Sequence, residues 1–212
     1  FLIGGTSGRT TLGGEGLQHQ DGQSHLLAYA VPNLVTYDPA FAYEIAVIVE
    51  DGIRRMYVDR ESVFYYVTVT NEPYPMPAMP DGAREGILKG MYLCRPAANG
   101  ANGLRAQLLG SGAILKEVLE AQTILAERYR VAADVWSVTS WKELRREALA
   151  TERWNLLHPA DPARRPYVSE CLASRPGPIV AASDYVKALP DSISRWAPRP
   201  IVSLGTDGFG RS

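Results

Sequence analysis

The sequence predicts an α/β protein built as two units, each with a parallel or mixed sheet flanked by helices. Short β-branched or apolar runs alternate with amphipathic helical stretches along most of the chain. One run, 62–70, is aromatic and β-branched throughout, the pattern of a strand buried on both faces. Four prolines between 73 and 80 then interrupt the alternation, where neither a helix nor a central strand can form.

The elements follow in order. Residues 1–4 read as a short strand entering a loop over 4–22 that holds seven glycines. Ser24 is placed to cap a short helix through Ala30, and 33–37 reads as a strand. Asp38-Pro39 has the form of a helix start, an N-cap acid followed by proline, with the helix running to about Tyr57. The stretch 71–85 fits an extended interdomain linker, with a long surface loop inside one domain as the alternative. Beyond it, 90–94 and 105–109 read as strands around an Asn/Gly turn. A helix follows with Ile114, Leu115, Val118, Ala121, Leu125 and Tyr129 on one stripe. A strand at 134–139 leads to a helix capped by Ser140. Helical stretches at 151–157 and 166–172, a strand at 179–182, a helix over 184–196 and a last strand at 201–204 complete the reading.

Composition removes several function classes. The chain has 212 residues, 22 basic and 23 acidic side chains and a net charge of −1, so it has no basic footprint for nucleic acid. Its longest apolar run, 26–31, is far short of the roughly 20 residues that span a bilayer. With 46% apolar residues and balanced charge, it is not a disordered chain. Cys94 and Cys171 form no Cys-x-x-Cys pair and read as buried thiols. With no signal or lipidation motif, the expected compartment is the reducing cytoplasm.

Among motifs, Gly110-Ser111-Gly112 before a helix lacks the third glycine of a dinucleotide fingerprint, because Leu115 stands there. His19 and His25 bracket Asp21, yet a third ligand for a metal is missing. His158 reads as a helix-end residue bonded to its own last carbonyls. The first loop carries more. It sets Glu15, Gln18, His19 and Asp21 among glycines, which permit tight backbone shapes and close ligand approach. An imidazole there can give or take a proton near neutrality. The residues alone leave a substrate loop and a structural turn equally open.

The run from Phe1 to Leu12, followed by Gly14-Glu15-Gly16-Leu17-Gln18-His19-Gln20-Asp21-Gly22, closely resembles the homodimeric, thiamine-dependent pyruvate dehydrogenases of bacteria. The likeness continues through Tyr37-Asp38-Pro39-Ala40, Met76-Pro77-Ala78-Met79-Pro80, Leu109-Gly110-Ser111-Gly112 and Arg153-Trp154-Asn155-Leu156-Leu157-His158-Pro159. It closes on Gly205-Thr206-Asp207-Gly208-Phe209-Gly210-Arg211-Ser212. The first loop is also similar to a transketolase loop, but it is one residue shorter and lacks the acid after the glutamate, which speaks against a sugar substrate.

The resemblance implies two transketolase-like units, the first truncated. Residues 1–72 would be the C-terminal half of the pyrimidine-side thiamine-binding domain, 73–85 the linker, and 86–212 most of the transketolase-like C-terminal domain. His19 would be catalytic, beside the thiazolium carbon and pyruvate, with Glu15, Gln18 and Asp21 as substrate-loop candidates. Thiamine diphosphate and magnesium would be held mainly by parts upstream of Phe1, as would the catalytic glutamate, so the 212 residues alone should not decarboxylate pyruvate. The implied partners are a second copy of the full-length chain, and the lipoyl domain and core of dihydrolipoyl acetyltransferase. Transketolase, another 2-oxo acid dehydrogenase component and a non-catalytic α/β interaction module are the alternatives.

Overall fold

In the computed structural model, which describes residues 1–5, 8–12, 14–97 and 103–208, the strands form two sheets. The first part of the chain supplies β1 (Leu2–Gly4), α1 (Ser24–Leu27), β2 (Leu34–Tyr37), α2 (Ala42–Ile53), β3 (Phe64–Thr68) and α3 (Ala83–Lys89). Its three strands are parallel, in the order β1-β3-β2. The remainder supplies β4 (Tyr92–Arg95), β5 (Arg105–Gly110), α4 (Leu115–Tyr129), β6 (Ala132–Ser137), α5 (Trp141–Leu157), α6 (Tyr167–Ala173), β7 (Ile179–Ala182), α7 (Ala188–Asp191) and β8 (Ile201–Leu204). These strands lie in the order β4-β6-β5-β7-β8, with β4 antiparallel to β6 and the rest parallel. The α/β class with parallel and mixed sheets is therefore observed. The Asn/Gly turn expected between β4 and β5 falls largely on 98–102, outside the described residues, as do Thr6, Ser7, Gly13 and 209–212 of the motifs.

Apolar packing follows the predicted stripes. Leu115 and Val118 of α4 meet Ala106, Leu108, Ala133 and Val135 on one face of the second sheet. On the other face, Leu144 and Ala148 of α5 and Val168 and Leu172 of α6 pack with Leu109, Trp136, Ile179 and Ala181. Alternate residues of each strand thus enter different cores, as a pleated strand requires. Ser140 caps α5 as expected, its Oγ accepting from the Glu143 N–H at 3.0 Å.

Four local expectations are corrected. The helix expected from Asp38-Pro39 begins only at Ala42. The main chain of Asp38 is used elsewhere: its N–H donates to the Thr139 carbonyl (2.8 Å) and its carbonyl accepts from Gly112 (3.0 Å). Glu44 serves the start of α2 instead, accepting from the N–H groups of Ala40 (2.5 Å) and Phe41 (3.1 Å). Ser24 does not cap α1 but is its first residue; Gln23 holds the N-cap position, and Asp21 Oδ1 accepts from the N–H groups of Gln23 and Ser24, both at 3.0 Å. The helix expected over 184–196 shrinks to α7 and a 3-10 turn at Ser194–Trp196, and Asp184 stands outside it with partners 174 and 175 positions away. Last, α3 forms at the end of the proline-rich stretch, between Gly82 and Gly90, both with positive φ. Ala83 and Ile87 secure it by packing with Val35, Tyr37 and Ile48 of the first unit.

The two units are bound by buried polar groups as well as by apolar contact. Oε1 of Glu44 accepts from the hydroxyls of Tyr92 and Ser137, both at 2.6 Å, so a residue of α2 reaches β4 and β6. Lys142, in the first turn of α5, is buried and donates to the carbonyls of Ala28 (2.7 Å), Val31 (2.7 Å) and Leu34 (2.5 Å). Burial lowers the pKa of this ammonium, and the three carbonyls replace the water it gives up. Lys142→Met keeps the apolar stem but removes the only atom that can donate. Leaving buried acceptors unpaired should weaken the 28–34 segment by about 2–4 kcal/mol. Hydrogen exchange on the full-length protein should show that segment opening faster, while α4 keeps its protection.

Candidate functional site at the carboxyl ends of both sheets

Parallel strands give all their carboxyl ends to one edge of a sheet, and ligands of open α/β folds bind outside that edge. Here the two such edges meet. The segment after β1 (Gly8 to Thr10), the Asp38 that follows β2 and the Thr68 that ends β3 lie against the segments after β5, β7 and β8. The contacts are Gly112 N–H to the Asp38 carbonyl, Arg9 N–H to the Asp184 carboxylate (2.6 Å), and the Arg9 guanidinium to the carbonyls of Thr206 (3.0 Å) and Gly208 (2.7 Å).

The glycine-rich loop rises from this seam. Its neck is closed by Asp21 N–H donating to the Gly8 carbonyl at 3.0 Å. Leu12, 1% exposed, plugs its base, and His19 ends an exposed 3-10 turn, Leu17–His19. Gly16 enters that turn at φ 86°, a conformation side chains disfavour. Gln18 is exposed on this turn and Glu15 just before it, with the Gln18 amide donating to the Glu15 carbonyl at 3.4 Å. The loop therefore presents Glu15, Gln18 and His19 together. Asp21 is set apart from them, with both carboxylate oxygens engaged by Gln23 and Ser24 at the start of α1.

Beneath the loop lies a buried relay that the sequence reading did not find. His25 Nε2 is hydrogen-bonded to Thr68 Oγ1 (3.1 Å), which donates to Asp38 Oδ1 (2.7 Å). The His25 ring is packed between Tyr66 and Tyr185, with centroids at 5.4 and 4.8 Å. Burial takes its pKa down to about 4, against the nearby charge of Asp21. Burial also pushes the Asp38 carboxyl up to about 7; the hydrogen bond from Thr68 opposes this, and the charges of Asp184 and Glu44 add to it. Both groups are thus disposed to be neutral where they are buried. The readable clue to Asp38 was its place directly after a strand, at the edge where functional acids gather. His158 lies far from this seam in sequence and local partners, its Nδ1 donating to the Trp154 carbonyl (2.8 Å) and its ring stacked on Trp154.

The comparisons with known proteins fit this geometry. Residues 1–94 match the model of the pyruvate dehydrogenase E1 component middle domain, and 90–212 match the transketolase-like C-terminal domain. The whole chain is 56% identical over 213 residues to the pyruvate dehydrogenase E1 component of Pseudomonas aeruginosa and 53% identical over 214 residues to that of Escherichia coli K12. Over residues 90–212 the chain belongs to the transketolase-like C-terminal domain family. It covers 24% of the length of each of those two relatives. Solved transketolases share the fold: that of Campylobacter jejuni aligns over 99% of this chain and 27% of its own with a TM-score of 0.65 at 16% identity. A split-gene transketolase, an inactive β4 tetramer, aligns over 97% of this chain and 56% of its own with a TM-score of 0.61 at 19% identity. Among the described residues no group of three or more His, Cys, Asp or Glu could hold a metal ion, and no helix is long and apolar enough to cross a membrane.

The raised pKa of Asp38 has a pH consequence. Between about 4 and 7 the folded protein keeps a proton that the unfolded chain has lost, so stability falls as pH rises through that window. Asp38→Asn removes this linkage and retains an oxygen for Thr68. Relative to the parent, the full-length variant should gain about 2–4 kcal/mol by pH 8 and almost nothing near pH 4. Thermal midpoints measured across that range check it, and a difference independent of pH would count against a buried neutral Asp38.

Proposed function

We propose that this chain is the substrate-side and C-terminal part of a pyruvate dehydrogenase E1 component. The full-length protein would decarboxylate pyruvate on thiamine diphosphate with magnesium, act as a homodimer in the cytoplasm, and pass the acetyl unit to a lipoyl group of dihydrolipoyl acetyltransferase. The observation that carries this reading is the 56% identity over the whole chain, which includes the His19 loop at the junction of the two sheet edges. In this reading residues 1–72 are the C-terminal half of the pyrimidine-side domain, 73–85 the connection, and 86–212 most of the C-terminal domain.

The residues present suit the reacting end of the cofactor rather than its diphosphate end. An exposed imidazole stands on a glycine-rich turn at the sheet edges. Bound thiamine diphosphate supplies the carbon nucleophile that adds to a 2-oxo acid and the electron sink that receives the charge when carbon dioxide leaves. His19 would hold a proton at the pyruvate carbonyl oxygen as negative charge develops there, in a site where excluded water strengthens the interaction. An imidazole, with a reference pKa of about 6.5, can serve as donor and then as acceptor near neutral pH. Glu15 and Gln18 stand exposed beside His19 and are the further substrate-loop candidates.

His19→Ala in the full-length enzyme should slow pyruvate turnover by roughly 10²–10⁴-fold, the range for losing a positioned acid–base group. Thiamine diphosphate affinity should change little, and His158→Ala should leave turnover near normal. Steady-state kinetics and cofactor titration on both variants decide it: near-normal turnover in His19→Ala would reduce the residue to a structural part of the loop.

A further inference from the structure

We infer that Asp184 is the positioning residue through which the second sheet sets the His19 turn, an inference that rests on the acid–base role proposed for His19. Asp184 follows β7 and is 4% exposed. Its carboxylate accepts from the N–H groups of Arg9 (2.6 Å) and Thr10 (3.0 Å) and from the Thr10 hydroxyl (2.5 Å). Hydrogen bonds to a carboxylate are short and strong, and three on one group leave its geometry little freedom. The approach is close enough to demand glycine at position 8. Gly8 has φ +87°, and a Cβ there would stand 2.3 Å from Asp184 Oδ2.

From this grip the constraint passes to His19 in few steps. Gly8 pairs with Asp21 across the neck of the loop, and His19 lies two residues before Asp21. On the outgoing side the Gly22 carbonyl accepts from Val186 N–H (3.0 Å), two residues beyond Asp184. A Cβ on Gly22 would stand 1.7 Å from the Arg9 guanidinium, so that side chain fills the space between the two arms. The segment 184–186 therefore holds both arms of the loop. The bonds described within the turn stay inside the loop: His19 N–H to Gly16 (3.3 Å), Gln20 N–H to Leu17 (3.2 Å) and the Gln20 amide to the Leu12 carbonyl (3.4 Å). The direction of the turn depends on the neck.

The purely structural alternative is that Asp184 stabilises the fold and has no particular link to His19. A double-mutant cycle in the full-length holoenzyme separates the two. Asp184→Asn keeps the shape but turns an amide NH₂ toward donors. It should lower kcat by about 10–100-fold, the scale of an ångström-level misplacement of a reacting group, with the KM for pyruvate changed by less than about 3-fold. In a His19→Ala background the same substitution should cost less than about 2-fold, because a residue that acts through His19 has nothing left to position. Hydrogen exchange of residues 9–23 in the cofactor-free protein should quicken in Asp184→Asn. Equal losses in both backgrounds, or normal kcat in Asp184→Asn, would overturn the inference. If His19→Ala itself turns over normally, the acid–base reading fails, while exchange over 9–23 still reports whether Asp184 holds the loop; unchanged exchange would overturn that claim too. Should Asp184→Asn fail to fold, Thr10→Val removes only the hydroxyl arm of the same grip and should show the same pattern at about 3–10-fold in kcat.

Discussion

The Asp184 carboxylate lies after a strand of one sheet and takes main-chain N–H groups from the segment after a strand of the other, so the two carboxyl edges are held face to face. Most of what is distinctive about the molecule depends on that opposition. Arg9, brought in by the same segment, reaches the carbonyls of Thr206 and Gly208, and Asp38 exchanges main-chain hydrogen bonds with Thr139 and Gly112. Lys142 and Glu44 work further back, each satisfied by partners from the opposite unit. Pulling the units apart would leave these buried groups unpaired, and each such loss is costly. Tyr74 and Glu72 even tie the proline-rich segment down, to the Ala40 carbonyl and to Lys116.

The same opposition shapes the electrostatics of the seam. Burial disfavours charge, and His25, Thr68 and Asp38 are all buried. The histidine is driven toward the neutral form and the acid toward the protonated form, so the relay adds little net charge beneath the loop. His19, by contrast, is exposed on its turn. Two histidines six positions apart therefore meet opposite conditions, one buried and one exposed on the turn.

Much of the fold was legible because local pattern and burial agree. The aromatic and β-branched run containing β3, the stripe on α4 and the Ser140 cap each carry their structural meaning within a few residues. The errors fall where a distant partner outbids a local rule. Asp38-Pro39 has the form of a helix start, yet the main chain of Asp38 is already committed to Gly112 and Thr139. The 184–196 stretch has helical character, yet Asp184 is claimed by Arg9 and Thr10. Too short to announce itself, α3 is secured by Val35 and Ile48.

The candidate site divides along the same line. By itself the sequence determined the presence of the glycine-rich loop and the nature of its side chains, because glycine, histidine and glutamate at those spacings carry their conformational and protonic properties wherever they are placed. Tertiary structure alone decided how that loop is anchored and that His25 and Asp38 are buried together. It alone also decided that the loop hangs from an acid 174 to 175 positions away from the residues it grips. The physical reason is range. Backbone preference and side-chain chemistry act over a few residues, whereas burial and the pairing of buried charges depend on which distant segments the two sheets bring to a common edge.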